Sequence, residues 1–145
     1  MEIANIVREV TDDKSLPSYE CKLQQIEHAK HISLKAKIVK LSDKLYNLSD
    51  LCENIPKGWT LERVQGYFVW SWFVISGLRG SNAALEAEID KVFDDEFLFE
   101  GKNYPCLTKP VTQKDLDSYI SLMKANVKEI EQSIDNFDDL NCILM

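Results

Sequence analysis

Hydrophobic residues recur at steps of three and four along most of this chain, which is the spacing of one face of an α-helix. The clearest example lies between residues 36 and 51, where one line of the helical wheel carries Ile38, Leu41, Leu45 and Leu48. No stretch shows a convincing alternation of apolar and polar residues, the pattern typical of a strand. The sequence therefore predicts an all-α fold.

Capping and turn residues indicate where the helices begin and end. Thr60 is a good N-cap for one helix, and Ser81 is predicted to cap the next. Pro56 and Gly58 form a turn before Thr60. Residues 100–111 are predicted to be a loop. The predicted helices are residues 2–10 (the last turns of a helix), about 19–30, 33–54, 60–78 and 81–93, and about 114–137.

Length and composition suit one compact intracellular domain. The chain has 145 residues, of which 45% are hydrophobic, and it lacks an apolar run long enough to span a membrane. Its four cysteines are scattered, which fits a reduced, cytoplasmic protein better than a disulfide or zinc scaffold. The net charge of −7 argues against nucleic acid as the main partner.

The charge is unevenly placed along the chain. Residues 21–44 hold six lysines against Glu27 and Asp43, whereas residues 81–145 are strongly acidic. Solvated helix faces explain much of this asymmetry. A basic segment around one embedded aspartate also suits a phosphate-rich ligand with a metal ion.

Two pairs of polar residues stand at one-turn spacing on neighbouring predicted helices. Asp43 and Asn47 form the first pair, and Arg63 and Tyr67 form the second. Antiparallel helices joined by a short turn would bring all four side chains into one cleft. Such a cleft would suit a metal-bound, phosphorylated nucleotide. The alternative is that they are surface polar residues on two packed helices.

Three stretches carry a resemblance to a known family: "EVTDDKSLP", "AKIVKLSDKLYNLSDL" and "PKGWTLERVQGYFVW". Together they resemble the C-terminal half of the HD-domain guanosine bis(diphosphate) 3′-pyrophosphohydrolases, which include the metazoan homologues of SpoT. The resemblance implies an all-α fold made of the C-terminal helices of that domain and one additional long helix. Residues 1–97 would be the partial hydrolase domain, and residues 98–145 a helical extension with an acidic tail.

The resemblance also implies a reaction and a set of site residues. The family removes pyrophosphate from the alarmone ppGpp with a divalent metal, typically Mn²⁺, and its metazoan members are also associated with the 2′-phosphate of NADPH. Asp43 matches the last metal ligand of the family. Asn47, Arg63 and Tyr67 match residues that line the nucleotide site. Trp59 matches a tryptophan at the pocket edge, and a buried anchor is an equally good interpretation of it.

The other metal ligands of the family, a histidine and a His-Asp pair, match nothing in this chain. One carboxylate cannot hold a catalytic metal ion with useful affinity. We therefore expect a truncated hydrolase that is inactive as it stands. The alternatives are a non-catalytic helical interaction module derived from that family and, less favoured, a lipid-anchored adaptor. His28 and His31 are expected to be surface residues and not substitute ligands.

The extension has its own patterns. An apolar seam at heptad steps predicts that the last helix docks on the body or, as the less favoured alternative, forms a parallel homo-oligomeric coil through residues 116–137. In the family, the N-terminal half of the hydrolase domain would normally cover Tyr46, Trp70 and Val74. Because nothing in this chain matches that half, these side chains are expected to be exposed. The ending Cys142-Ile-Leu-Met fits a prenylation signal at Cys142, although acidic neighbours make the anchoring weak. The seam consists of Leu116, Ile120, Met123, Val127, Ile130, Ile134 and Phe137.

Overall fold

The computed structural model describes Ile6 and residues 16–125. Within those residues the chain forms five helices and one two-stranded antiparallel sheet, so the predicted mostly helical class is confirmed. Ile6 is helical, and the rest of the first predicted helix lies outside the described residues. The elements are α1 (Ser18–Ala29), α2 (Leu34–Glu53), α3 (Leu61–Ser76), α4 (Ala83–Phe93), β1 (Glu96–Phe99), β2 (Lys102–Pro105) and α5 (Gln113–Ala125).

Polar side chains fix the beginnings of the helices, largely as predicted. The Thr60 hydroxyl accepts a hydrogen bond from the Arg63 backbone N–H at 3.2 Å and caps α3. The cap of α4 is Asn82 and not Ser81, because the Asn82 side chain accepts from the Leu85 backbone N–H at 3.0 Å. The Ser81 hydroxyl instead donates to the Leu78 carbonyl in the preceding turn. The predicted cap was therefore wrong by one residue.

Helix α3 lies at the centre of the fold and contacts α1, α2 and α5. Its residues Val64, Phe68 and Val74 are fully buried. Helix α4 packs on α2 and buries Ile89 and Phe93. None of the described helices combines the length and the apolar character that a bilayer crossing requires.

Residues 96–105 form a β-hairpin, most of which was predicted to be a loop. Glu96 pairs with Pro105 and Phe99 with Lys102, and both turn residues, Glu100 and Gly101, have positive φ. Such a turn matches the twist of a short hairpin. Each strand has only four residues, which is too short for an alternating pattern to stand out. The predicted boundary between residues 97 and 98 falls inside this hairpin, and the domain division stays a prediction.

Helix α5 docks on the body of the chain through the first half of the predicted seam. Leu116, Ile120 and Met123 are buried, and α5 contacts both α3 and α1. Tyr119, which was not part of the seam, is also buried. Docking is therefore confirmed for these residues, whereas seam residues 127–137 lie outside the described part of the chain.

The prediction that Trp70 and Val74 would be uncovered was wrong. Both side chains are fully buried. Helix α1 covers this side of α3, and the Trp70 indole N–H donates to the Lys22 carbonyl at 2.8 Å. Tyr46 is 72% exposed, so it behaves as expected.

The contact between α3 and α5 depends on Gly66, and replacing it by alanine tests this. A Cβ at residue 66 would overlap the ring of Tyr119. Alanine normally stabilises a helix interior by about 1 kcal/mol relative to glycine, whereas overpacking costs about 1–3 kcal/mol. We expect Gly66→Ala to lower the free energy of unfolding in urea by up to about 2 kcal/mol.

The matched control is the same change in a Tyr119→Ala background, where the overlap is absent. There Gly66→Ala should be neutral or stabilising, so the two changes should couple in a double-mutant cycle. An equal loss of stability in both backgrounds would contradict the predicted overlap.

Candidate functional site

Two lysines from different helices lie against one aromatic ring at the centre of the fold. The Lys44 ammonium group on α2 is 3.5 Å from the centroid of the Trp70 ring, and the Lys22 ammonium group on α1 is 4.0 Å from it. Both ammonium groups also lie within 5.3 Å of the Tyr67 ring centroid. We call Lys22, Lys44, Tyr67 and Trp70 the lysine–aromatic cluster.

The burial of these lysines was not predicted. Lys22 and Lys44 are fully buried, and Lys40 is 1% exposed. Their positions in a lysine-rich segment suggested a solvated face, and the sequence carries no signal that would place them inside. For Lys22 and Lys44, the facing Trp70 and Tyr67 rings are part of the physical reason, because a ring face attracts a desolvated cation.

A second cation–aromatic contact adjoins the cluster. The Arg63 guanidinium carbon is 4.3 Å from the centroid of the Trp59 ring, and Trp59 lies 5.9 Å from Tyr67 between centroids. Arg63 is 8% exposed and Trp59 is 5% exposed. The structure thus brings Trp59, Arg63 and Tyr67 together. Such burial of Trp59 fits an anchor that orients Arg63.

Asp43 lies half-buried on α2, close to the charges of Lys44 and Lys40. Burial raises the pKa of the Asp43 carboxyl, and the positive charges of Lys44 and Lys40 partly oppose that rise. Asn47 is half-buried one turn further along the same helix. Asp43 and Asn47 flank Lys44, and the ammonium group of Lys44 reaches the Tyr67 ring. Lys44 is therefore the link between the two predicted polar pairs.

A divalent cation needs several ligand side chains, of which Asp43 would be one. Among the described residues, no three side chains of histidine, cysteine, aspartate or glutamate come together as a metal site. His28 and His31 are exposed, as expected, and His31 pairs with Glu27 at 3.2 Å. This part of the chain therefore offers one carboxylate and not a complete ligand set. Cys142 lies outside the described residues, and its prenylation stays a prediction.

Known proteins match a large part of this chain. No protein-family model matches it. The guanosine-3′,5′-bis(diphosphate) 3′-pyrophosphohydrolase MESH1 of Xenopus tropicalis is 56% identical over 95 residues, which cover 66% of this chain and 53% of that protein. The Homo sapiens protein of the same name is 50% identical over 92 residues, covering 63% and 51%. The matched segment is homologous to the MESH1 hydrolases. The chain spans about half the length of these curated relatives.

A solved structure agrees with this relation to MESH1. It is described as a metazoan ortholog of SpoT that hydrolyses ppGpp and plays a role in starvation responses. The match has a TM-score of 0.60 at 56% identity and covers 61% of this chain and 49% of the other. The resemblance predicted from the quoted stretches is thus confirmed. The roles of Asp43, Asn47, Arg63, Tyr67 and Trp59 stay predictions.

The anchor interpretation of Trp59 leads to a stability prediction. Trp59→Ala should lower the free energy of unfolding by about 3 kcal/mol, because a buried tryptophan fills space and supports both Arg63 and Tyr67. Trp59→Phe should recover much of that loss, since a smaller ring still fills part of the site. Urea denaturation followed by circular dichroism measures both changes. An unchanged transition for Trp59→Ala would mean that the ring is not an anchor.

Proposed function

We propose that this chain supplies one half of a metal-dependent ppGpp 3′-pyrophosphohydrolase site. Asp43 would be one ligand of a divalent cation such as Mn²⁺, which lowers the pKa of a bound water and screens phosphate charge when present. Asn47, Arg63 and Tyr67 would line the nucleotide site. Two observations support the proposal: the Lys44 ammonium group of α2 lies 5.3 Å from the centroid of the Tyr67 ring of α3, and the chain is 56% identical to Xenopus tropicalis MESH1 over 95 residues.

The chain's own residues would act by position and charge. Lys22, Lys40 and Lys44 are buried lysines on α1 and α2, and positive charge on these helices would favour a polyanionic nucleotide. The Arg63 guanidinium carbon lies 4.3 Å from the centroid of the Trp59 ring, and a guanidinium group in this place would be suited to donate N–H groups to a phosphate. No step of the reaction can be completed by these groups alone.

We further propose that a polypeptide of these 145 residues does not turn over ppGpp. A single carboxylate holds a divalent cation too weakly for catalysis. With Mn²⁺ and ppGpp, we expect no release of pyrophosphate above background. Turnover that Asp43→Ala abolishes would overturn this.

A hybrid protein tests the site itself. The N-terminal half of Xenopus tropicalis MESH1 would be joined to this chain, so that the other metal ligands expected from the family are present. We expect the hybrid to hydrolyse ppGpp with Mn²⁺, and Asp43→Ala in the hybrid to lower kcat by roughly 100-fold or more because a metal ligand is lost. NADPH is tested as a second substrate in the same assay.

The matched control in the hybrid is Glu53→Ala. Glu53 is an exposed carboxylate on the same helix as Asp43, and it should leave kcat nearly unchanged. Equal losses for both variants, or no loss for Asp43→Ala, would contradict the role of Asp43. A folded hybrid without any activity would contradict the proposal that this chain carries half of the site.

A non-catalytic helical interaction module is the second candidate function. It is favoured by the exposed apolar side chains along α2, where Leu34 is 60% and Tyr46 is 72% exposed. In this case the chain should self-associate, and Leu34→Ser with Tyr46→Ser should shift it toward monomer in sedimentation velocity. A monomer in both forms would leave only the half-site proposal.

We place the protein in the cytoplasm, a reducing compartment that suits its free cysteines.

A further inference from the structure

Two cysteines that are distant in the sequence meet at the edge of the core. Cys52 lies in the last turn of α2 and is half-buried, whereas Cys106 directly follows β2 and is 2% exposed. Their sulfur atoms are 3.4 Å apart although the residues are separated by 54 positions. Neither thiol has a role in the proposed nucleotide site.

The surrounding structure holds both sulfur atoms in place. The Cys106 backbone N–H donates to the Asp95 carbonyl at 2.9 Å, which fixes the chain at the end of the hairpin. The ring of Phe97 in β1 stacks on Phe68 of α3, with centroids 5.8 Å apart. Because α2 also contacts β1, the hairpin and the end of α2 form one packed unit. The sulfurs need to approach by only about 1.4 Å to reach bonding distance.

The two thiols differ in reactivity. The hydrogen bond with Cys106 lowers the pKa of the Cys52 thiol, against burial and the nearby negative charges of Asp95 and Glu53. The same hydrogen bond raises the pKa of the Cys106 thiol, and burial and the charges of Cys52, Asp95 and Glu96 raise it further. The hydrogen bond therefore favours Cys52 as the thiolate of the pair. Cys52 is also the more exposed of the two residues.

We propose that Cys52 and Cys106 form a redox modification site that closes into an intramolecular disulfide. The oxidant would be a small-molecule disulfide such as oxidised glutathione. The Cys52 thiolate attacks one glutathione sulfur, forms a mixed disulfide and releases glutathione thiolate. Cys106 then loses its proton and attacks the Cys52 sulfur. The Cys52–Cys106 bond forms as the second glutathione leaves, so two protein thiols are oxidised and one glutathione disulfide is reduced to two thiols.

The bond would join the hairpin covalently to the helix that carries Asp43. A cross-link across 54 positions restricts the unfolded chain strongly, so the oxidised protein should be more stable than the reduced one. Reduction by a cytosolic thiol pool would reverse the change.

The test uses the full chain incubated with excess oxidised glutathione, followed by non-reducing peptide mapping. We expect a cross-linked pair of peptides that contains Cys52 and Cys106 and an intact mass lower by the two thiol hydrogens. Cys106→Ala should stop the reaction at a glutathione adduct on Cys52. Cys52→Ser should leave Cys106 unmodified, because its sulfur is buried.

Cys21 serves as an internal control, since its buried thiol donates a hydrogen bond to the Leu16 carbonyl. A cross-link that involves Cys21 or Cys142 instead, or separate glutathione adducts on Cys52 and Cys106 without a bond between them, would overturn the proposal. The peptide map reads the modification directly in all variants, so reduced stability of one variant does not hide the result.

A thermal measurement tests the consequence of the bond. The oxidised chain should unfold at a midpoint roughly 10 °C above that of the reduced chain, from the size of the closed loop. Cys52→Ser treated in the same way should show no such difference. A cross-linked chain with an unchanged midpoint would show that the bond does not stabilise the fold.

Discussion

The contact on which much of this structure depends is that of Trp70 with two lysine ammonium groups. Its ring faces Lys22 from α1 and Lys44 from α2, and its indole N–H bonds the Lys22 carbonyl. One side chain thus connects three helices. A cation–π contact contributes at most about 2 kcal/mol, whereas taking an ammonium group out of water costs several kcal/mol. The aromatic contacts therefore offset only part of that cost, and the other partners of these ammonium groups must supply the rest.

The helices were predictable because local signals and packing agree there. The predicted cap at Thr60 holds, α2 begins close to its predicted start at residue 33, and the first half of the predicted seam is buried where it docks. The hairpin was missed because four-residue strands leave no period to detect. The family resemblance suggested that one side of α3 would lack the part of the domain that normally covers Trp70. In the structure α1 and α5 pack on α3, and Trp70 is buried.

The members of the candidate site were named from the sequence and stay predictions, whereas the burial of the lysines around them was not anticipated. Periodicity placed Asp43 with Asn47 and Arg63 with Tyr67, and the family resemblance named their roles. Neither source indicated that Lys44 would be buried against Tyr67 and Trp70, since a lysine on an amphipathic helix is normally solvated. Tertiary contacts decide such positions. The sulfur contact between Cys52 and Cys106 is of the same kind, because no local pattern relates residues 54 positions apart.

The close approach of Tyr119 to Gly66 has a consequence for how the predicted extension can be exchanged between proteins. The helix that carries Tyr119 packs closely on a residue of the facing helix that has a hydrogen atom in place of a side chain. A related domain with a larger residue at the corresponding position would therefore bind this helix less tightly. The identity of that one residue would influence which domains accept the helix.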